Sequence, residues 1–236
     1  MKVIIFGATG MVGQGVLREC LRDPGVECVL LIGRTRAGVT HPKVREIIQA
    51  DLTDYSATEN EWAGYDACFF CLGVSSAGMN EADYRRVTYD ITLAAARALV
   101  KVHSDMTFIY ISGTGTDSSE KGRSMWARVK GATGNALLAL PFAAAYMFRP
   151  GYIQPLHGVK SKTKLYAALY AVAAPMYPVL TALFPKYVIT TEELGRAMLV
   201  AARNGAPKRV LESADIRELA KPPDQSNDRA GASAAG

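Results

Sequence analysis

Glycines 7, 10 and 13 stand in the run Gly7-Ala8-Thr9-Gly10-Met11-Val12-Gly13, directly after the apolar stretch Val3-Ile4-Ile5-Phe6. Small residues at this G-x-x-G-x-x-G spacing permit a tight turn. They also let main-chain N–H groups approach an anion at the start of the following helix. A dinucleotide pyrophosphate fits such a loop, which makes Gly7, Thr9, Gly10, Met11, Val12 and Gly13 candidate cofactor-binding residues. A glycine pattern alone is weak evidence; its strength comes from standing between a strand and a helix at the head of a βαβ unit. No lysine lies within the loop, so a nucleoside-triphosphate P-loop does not fit. The second strand ends in Leu31-Ile32-Gly33-Arg34-Thr35-Arg36. An NAD site places Asp or Glu at this point, against the ribose 2′-hydroxyl. Here Arg34 stands where a 2′-phosphate would lie and Arg36 is a second cation, and the planar guanidinium suits phosphate. NADP(H) is therefore the expected cofactor, with NAD(H) as the alternative.

The elements that must position this loop are those of a globular α/β chain. Of 236 residues, 49% are hydrophobic and 21% charged, which excludes wholesale disorder and collagen-like repeats. A formal charge of +5 suits a small anionic ligand and is too slight to indicate nucleic acid. No signal peptide is visible at the N-terminus and four cysteines make no disulfide framework, so a cytoplasmic enzyme is expected. Val3–Phe6 reads as a strand buried on both faces, followed by a helix from Met11 to Leu21. Further strands are expected at Cys28–Ile32, Val44–Ile48, Asp66–Leu72, Thr107–Ile111 and Phe142–Phe148. Helices are expected at 81–102, 125–140, 191–204 and near 213–219. In the long helix, Tyr84, Val87, Ile91, Ala94, Ala95, Ala98 and Leu99 mark one stripe.

Strands alternating with helices imply right-handed crossovers and a doubly wound parallel sheet. The ligand is then expected at the strands' carboxyl ends, between the first and fourth strands. One domain is expected over residues 1–220, with an apolar substrate-covering region at 151–190 and a disordered tail at 221–236.

These residues resemble the short-chain dehydrogenase/reductase superfamily, in its atypical branch with a GATGxxG-type loop. The resemblance covers roughly residues 1–215. It extends to small proteins of the NAD-dependent epimerase/dehydratase kind and to the Tat-interacting oxidoreductase-like group. It implies contact of Asp51 and Leu52 with adenine, and places Cys71, Leu72 and Gly73 against the adenine ribose. The element Arg149-Pro150-Gly151 looks like one that passes the nicotinamide, which makes Pro150 and Gly151 cofactor-binding candidates. In the superfamily a serine orients the substrate, and a tyrosine four residues before a lysine transfers the proton. The lysine holds the nicotinamide ribose. Ser112 and Lys130 match that pattern as candidate catalytic residues, but Trp126 occupies the tyrosine position. An indole N–H donates a hydrogen bond and cannot shuttle a proton near neutral pH.

Three explanations stand open: another hydroxyl (Thr114, Thr116, Tyr152 or Tyr84) serves, a water is relayed by Ser112 and Lys130, or NADP(H) is bound without turnover. The resemblance thus implies an oxidoreductase moving hydride to or from an apolar carbonyl, alcohol or enone. A redox-sensing regulatory protein is the alternative and an epimerase-like enzyme a third reading.

Other signals carry less. Cys68 and Cys71 are formally C-x-x-C, yet residues three apart on a strand point to opposite faces. His41, His103 and His157 show no metal-ligand spacing, so no metal is expected. His157 borders the expected substrate cleft. Residues 165–184 carry no charge. Pro175 and Pro178 limit the helical part to a rise of roughly 15 Å against a hydrocarbon core of ~30 Å, so no transmembrane span is expected. An apolar lid, a subunit interface between identical chains and a peripheral membrane contact through 160–186 with its flanking lysines are the readings left open.

Overall fold

The computed structural model describes residues 1–159 and 186–222. Its centre is a seven-stranded parallel sheet in the order β3-β2-β1-β4-β5-β6-β9. The strands are β1 (Lys2–Phe6), β2 (Cys28–Gly33), β3 (Val44–Ile48), β4 (Ala67–Phe70), β5 (Thr107–Ile111), β6 (Ala144–Arg149) and β9 (Val210–Glu212). Strand β1 pairs with β2 (Ile4 opposite Leu30) and with β4 (Ile4 opposite Cys68), so the strand order reverses beside it. The continuous apolar runs follow from burial on both faces. Val3 and Ile5 enter one core layer, with Val16, Leu194 and Met198; Ile4 and Phe6 enter the other, with Trp62, Leu93 and Leu99.

Helix α1 (Met11–Arg22) and helix α5 (Thr191–Asn204) share the first face. Their close approach requires small residues. A Cβ at Gly15 would lie 2.6 Å from Thr191 Cβ, and one at Gly195 would lie 2.7 Å from Glu19 Cγ. Arg203 fastens the far ends of the two helices, donating to Asp23 Oδ2 at 2.8 Å and Oδ1 at 2.6 Å. That guanidinium holds the Asp23 carboxyl below its ordinary range. A depressed folded-state pKa contributes stability above the unfolded value that is lost as pH falls through the folded one. Arg203→Ala is accordingly expected to lower stability by about 1 kcal/mol at neutral pH, since the pair is partly exposed. In urea unfolding the mutant and wild-type curves should converge by roughly pH 2–3; a pH-independent difference would refute the pairing.

The second face carries α2 (Glu81–Arg85), α3 (Ile91–Val102) and α4 (Met125–Leu138). The expected uninterrupted helix over 81–102 is instead broken by a π-helical turn at Arg86–Asp90. The wider turn shifts the buried stripe to Tyr84, Thr88, Thr92, Leu93, Ala95, Ala96 and Leu99, leaving Val87, Ile91, Ala94 and Ala98 half-buried.

Three strands were not legible in the sequence. Strand β7 (Tyr152–Gln154), within a stretch that reads as loop, pairs in parallel with β8 (Val188–Thr190) as a separate two-stranded sheet, and β9 joins the edge of the main one. Strands of three residues are too short for periodicity to register. Helix α6 (Ser213–Leu219) closes the described chain. The apolar segment 165–184, Lys160, Lys162, Lys164 and nearly all of the tail lie outside the described residues. Among the described residues, no helix is long and apolar enough to cross a membrane.

Candidate dinucleotide site

The three loop glycines are required for different reasons. Gly7 has φ +81°, in the left-handed region, and a Cβ there would lie 2.7 Å from Leu72 Cα and N. A Cβ at Gly13 would lie 2.7 Å from Gly7 C and 2.8 Å from Ala8 Cα, so this glycine brings α1 down onto the loop. Gly10 differs: its Cβ would meet Gly7 O only at 3.4 Å, an ordinary contact. Packing explains two glycines and leaves the middle one, which caps α1 without any side-chain hydrogen bond. The first turn of α1 also contains no acid. An uncapped helix N-terminus with a bare α-carbon before it is a cradle that fits a pyrophosphate. Thr9 offers its carbonyl to Gln14 Nε2 at 3.0 Å, while Met11 and Val12 open the helix half-buried.

A cavity of about 330 Å³ adjoins this loop, lined by Gly7, Ala8, Thr9, Gly33, Arg34, Thr35 and Leu72. None of these residues is acidic. Arg34 is exposed and forms no ion pair among the described residues. Arg36 lies outside this lining, with Nη1 3.9 Å from Glu46 Oε2. The Asp51 carboxylate accepts from Thr53 N at 2.8 Å and Thr53 Oγ1 at 2.6 Å, which lowers its pKa; Leu52 beside it is buried. Cys71, Leu72 and Gly73 follow β4, with Cys71 N donating to Phe6 O at 3.0 Å. A Cβ at Gly73 would meet nothing within 4 Å. Cys68 and Cys71 belong to opposite core layers, as the strand geometry requires, and all four cysteines are free.

At the end of β5, Ser112 and Lys130 come together. Lys130, half-buried as a residue, projects from α4, and its ammonium donates to Ser112 O at 3.1 Å and Ile111 O at 3.4 Å. Nζ also stands 5.6 Å from the Tyr110 ring centroid. Burial lowers its pKa from 10.5 to about 8. Ser112 Oγ donates to Phe148 O at 3.2 Å. Trp126 is half-buried, and a Cβ at Gly115 would lie 3.5 Å from its ring.

The other hydroxyls are engaged elsewhere. Thr114 Oγ1 donates to Arg149 O at 3.1 Å, Thr116 Oγ1 to Gly113 O at 2.7 Å and Tyr152 OH to Gln154 Oε1 at 2.8 Å. Tyr84 is buried. Pro150 O accepts from Thr114 N at 2.9 Å, and Gly151 N donates to Ser213 Oγ at 2.8 Å. Gly151 is needed because its Cβ would lie 3.3 Å from Tyr187 C and closer to Tyr187 O. His157 is taken up by Glu192, at 2.7 Å. Sequence reasoning missed Gly131, the residue after Lys130. A Cβ there would lie 2.5 Å from Asp117 C, so a glycine seats the post-β5 loop on α4. A glycine inside an amphipathic helix was the available signal. Among the described residues no cluster could hold a metal.

Comparison with known proteins agrees with this fold. Residues 2–95 match the family described as semialdehyde dehydrogenase, NAD binding domain. Protein FMP52-2, mitochondrial, of Scheffersomyces stipitis is 32% identical over 63% of this chain and 65% of its own length. Protein HTATIP2 of Rattus norvegicus is 28% identical over 64% of this chain and 62% of its own. Both matches thus span less than two thirds of the relative. Among solved structures, the Bordetella bronchiseptica enzyme WbmF in complex with NAD+ shares the fold at a TM-score of 0.64, with 16% identity over 93% of this chain and 76% of that one. The fold is a Rossmann α/β fold, and residues 2–95 are similar to an NAD binding domain. A short chain dehydrogenase family protein from Francisella tularensis subsp. tularensis SCHU S4 shares this fold as well, at a TM-score of 0.62 and 14% identity over 86% of this chain and 91% of that one. The expected cytoplasmic location is overturned by the FMP52 relatives, several of which are named mitochondrial. Composition and an unremarkable N-terminus carry no reliable address.

Proposed function

We propose that the protein is an NADP(H)-dependent oxidoreductase, reducing a carbonyl or enone or oxidising the matching alcohol. The observation that carries this reading is the pairing of Lys130 with the Ser112 strand end, in a fold whose glycine loop and Arg34-lined cavity suit a phosphorylated dinucleotide. When bound, the nicotinamide supplies or accepts the hydride. The N–H groups opening α1 bind the pyrophosphate and Arg34 grips the 2′-phosphate. Lys130 stands beside the ribose, and Ser112 Oγ–H swings from Phe148 O to orient the substrate oxygen. Asp51, Leu52 and the 71–73 turn flank the adenosine, with Pro150 and Gly151 beside the nicotinamide. The relatives' names favour a mitochondrial setting, and the uncharged composition of 165–184 favours an apolar substrate.

Trp126 supports one other reading, a sensor that binds NADP(H) without turnover, because it removes the usual proton shuttle. NADPH oxidation across ketones, enones and aldehydes separates the two: turnover supports the enzyme, and tight binding with none supports the sensor. Cofactor choice is tested by titration. NADPH should bind more tightly than NADH by about 10- to 100-fold, the worth of one charge-assisted guanidinium–phosphate contact, and Arg34→Ala should erase the difference. Equal affinities in the wild type would refute the role of Arg34.

A further inference from the structure

We propose that Lys130 is itself the proton donor, passing a proton from Nζ to the oxygen of a carbonyl substrate held at Ser112. The inference rests on the oxidoreductase reading above. Reduction of a carbonyl needs a hydride at carbon and a proton at oxygen, and at this strand end the second has few sources. Trp126 stands four residues before Lys130 and its indole does not ionise near neutral pH. The hydroxyl protons of Ser112, Thr114 and Thr116 point into the carbonyls of Phe148, Arg149 and Gly113. All three are aliphatic alcohols, too weakly acidic to give a proton up without a partner that replaces it. The Tyr110 phenol is fully buried below the strand end, and burial pushes its pKa further up.

Lys130 is different. An ammonium carries three N–H bonds, and two of them are directed at Ile111 O and Ser112 O, leaving the third for a substrate. The neutral amine left after transfer keeps two N–H bonds for the same two carbonyls, so the site needs no rearrangement. No carboxylate among the described residues pairs with Nζ to hold the charge in place. Glu81 on α2 is taken by Arg128 at 2.6 Å. Asp117 accepts from Ser119 and Gly122. Arg149 turns to Ser118 Oγ and Glu212. Burial brings the lysine close enough to neutral pH to be an effective acid.

Bound reduced nicotinamide would supply the hydride to the carbonyl carbon, and the oxygen, taking up the carbonyl π pair, would then need one proton. The Nζ–H bond breaks as the O–H bond forms, and water then reprotonates Lys130. The test uses 4-nitrobenzaldehyde and NADPH. A donor must be protonated, so wild-type kcat should be flat below about pH 8 and fall about tenfold per pH unit above it. Lys130→Arg keeps the charge but cannot release a proton, and should bind NADPH, read by its fluorescence, while losing at least about 100-fold in kcat. Lys130→Ala should lose the pH break and regain turnover with added methylamine. Independently of turnover, amine-specific labelling of the protein without cofactor should give Lys130 a midpoint near pH 8. Wild-type turnover by Lys130→Arg, or a kcat flat to pH 10, would overturn the proposal and leave the oxidoreductase reading standing. Absence of aldehyde, ketone or enone reduction by NADPH-bound wild type would overturn both.

Discussion

Gly131→Ala should destabilise the protein by about 2–3 kcal/mol, although helix propensity alone assigns the change a gain of about 1 kcal/mol. The added methyl would lie 2.5 Å from Asp117 C and 3.2 Å from Ser118 N, both main-chain atoms. That loop cannot step aside cheaply. Asp117 N donates to Ala127 O at 3.1 Å, the Asp117 carboxylate accepts from Gly122 N at 2.6 Å, and Asn135 Nδ2 reaches Ser118 O at 2.9 Å. In thermal unfolding the midpoint should fall by roughly 5–10 °C for a chain of this size. Gly134 on the same helix is the control. Its Cβ would meet only the flexible Met147 side chain, at 3.4 Å, so Gly134→Ala should leave the midpoint unchanged or raise it slightly. A Gly131→Ala protein melting at or above the wild type would refute the seating of the loop, and with it the placement of Lys130 by α4.

The second large effect is expected in the glycine loop, where stability and cofactor binding separate by position. Gly13→Ala sets a methyl against Gly7 C and Ala8 Cα, pushing α1 off the loop. It should cost about 2–3 kcal/mol of stability and at least about 100-fold in NADPH affinity. Gly10→Ala makes only an ordinary contact at 3.4 Å and should unfold within about 1 kcal/mol of the wild type. Its methyl nevertheless intrudes where a pyrophosphate approaches the main chain, so NADPH affinity should fall about tenfold or more. Urea unfolding and NADPH fluorescence titration on the two variants read both quantities. Equal NADPH affinity in Gly10→Ala and wild type would remove the pyrophosphate from this loop.

Much of the fold was legible because the central strands are buried on both faces and read as unbroken apolar runs. The switch point followed from the βαβ alternation. Tyr152–Gln154, Val188–Thr190 and Val210–Glu212 were not legible, since three residues define no period and their pairing depends on partners up to 63 positions away (Met147 with Val210). The π-helical turn at 86–90 was hidden for a related reason. The stripe of Tyr84, Ala95 and Leu99 tolerates an added residue, and only the packing of α2 and α3 against the rest of the layer selects the wider turn.

At the site, the sequence by itself determined the glycine cradle, the arginine in place of an acid after β2, and the tryptophan in place of a tyrosine before Lys130. Each is a matter of residue type at a local spacing. What Lys130 touches was decided only by the tertiary structure. Helix α4 seats against the loop after β5 through Gly131, and the ammonium then lies on two main-chain carbonyls, with no carboxylate among the described residues paired to it. Desolvation and the surrounding partners set the acidity of a lysine, and both are properties of packing that no linear spacing encodes.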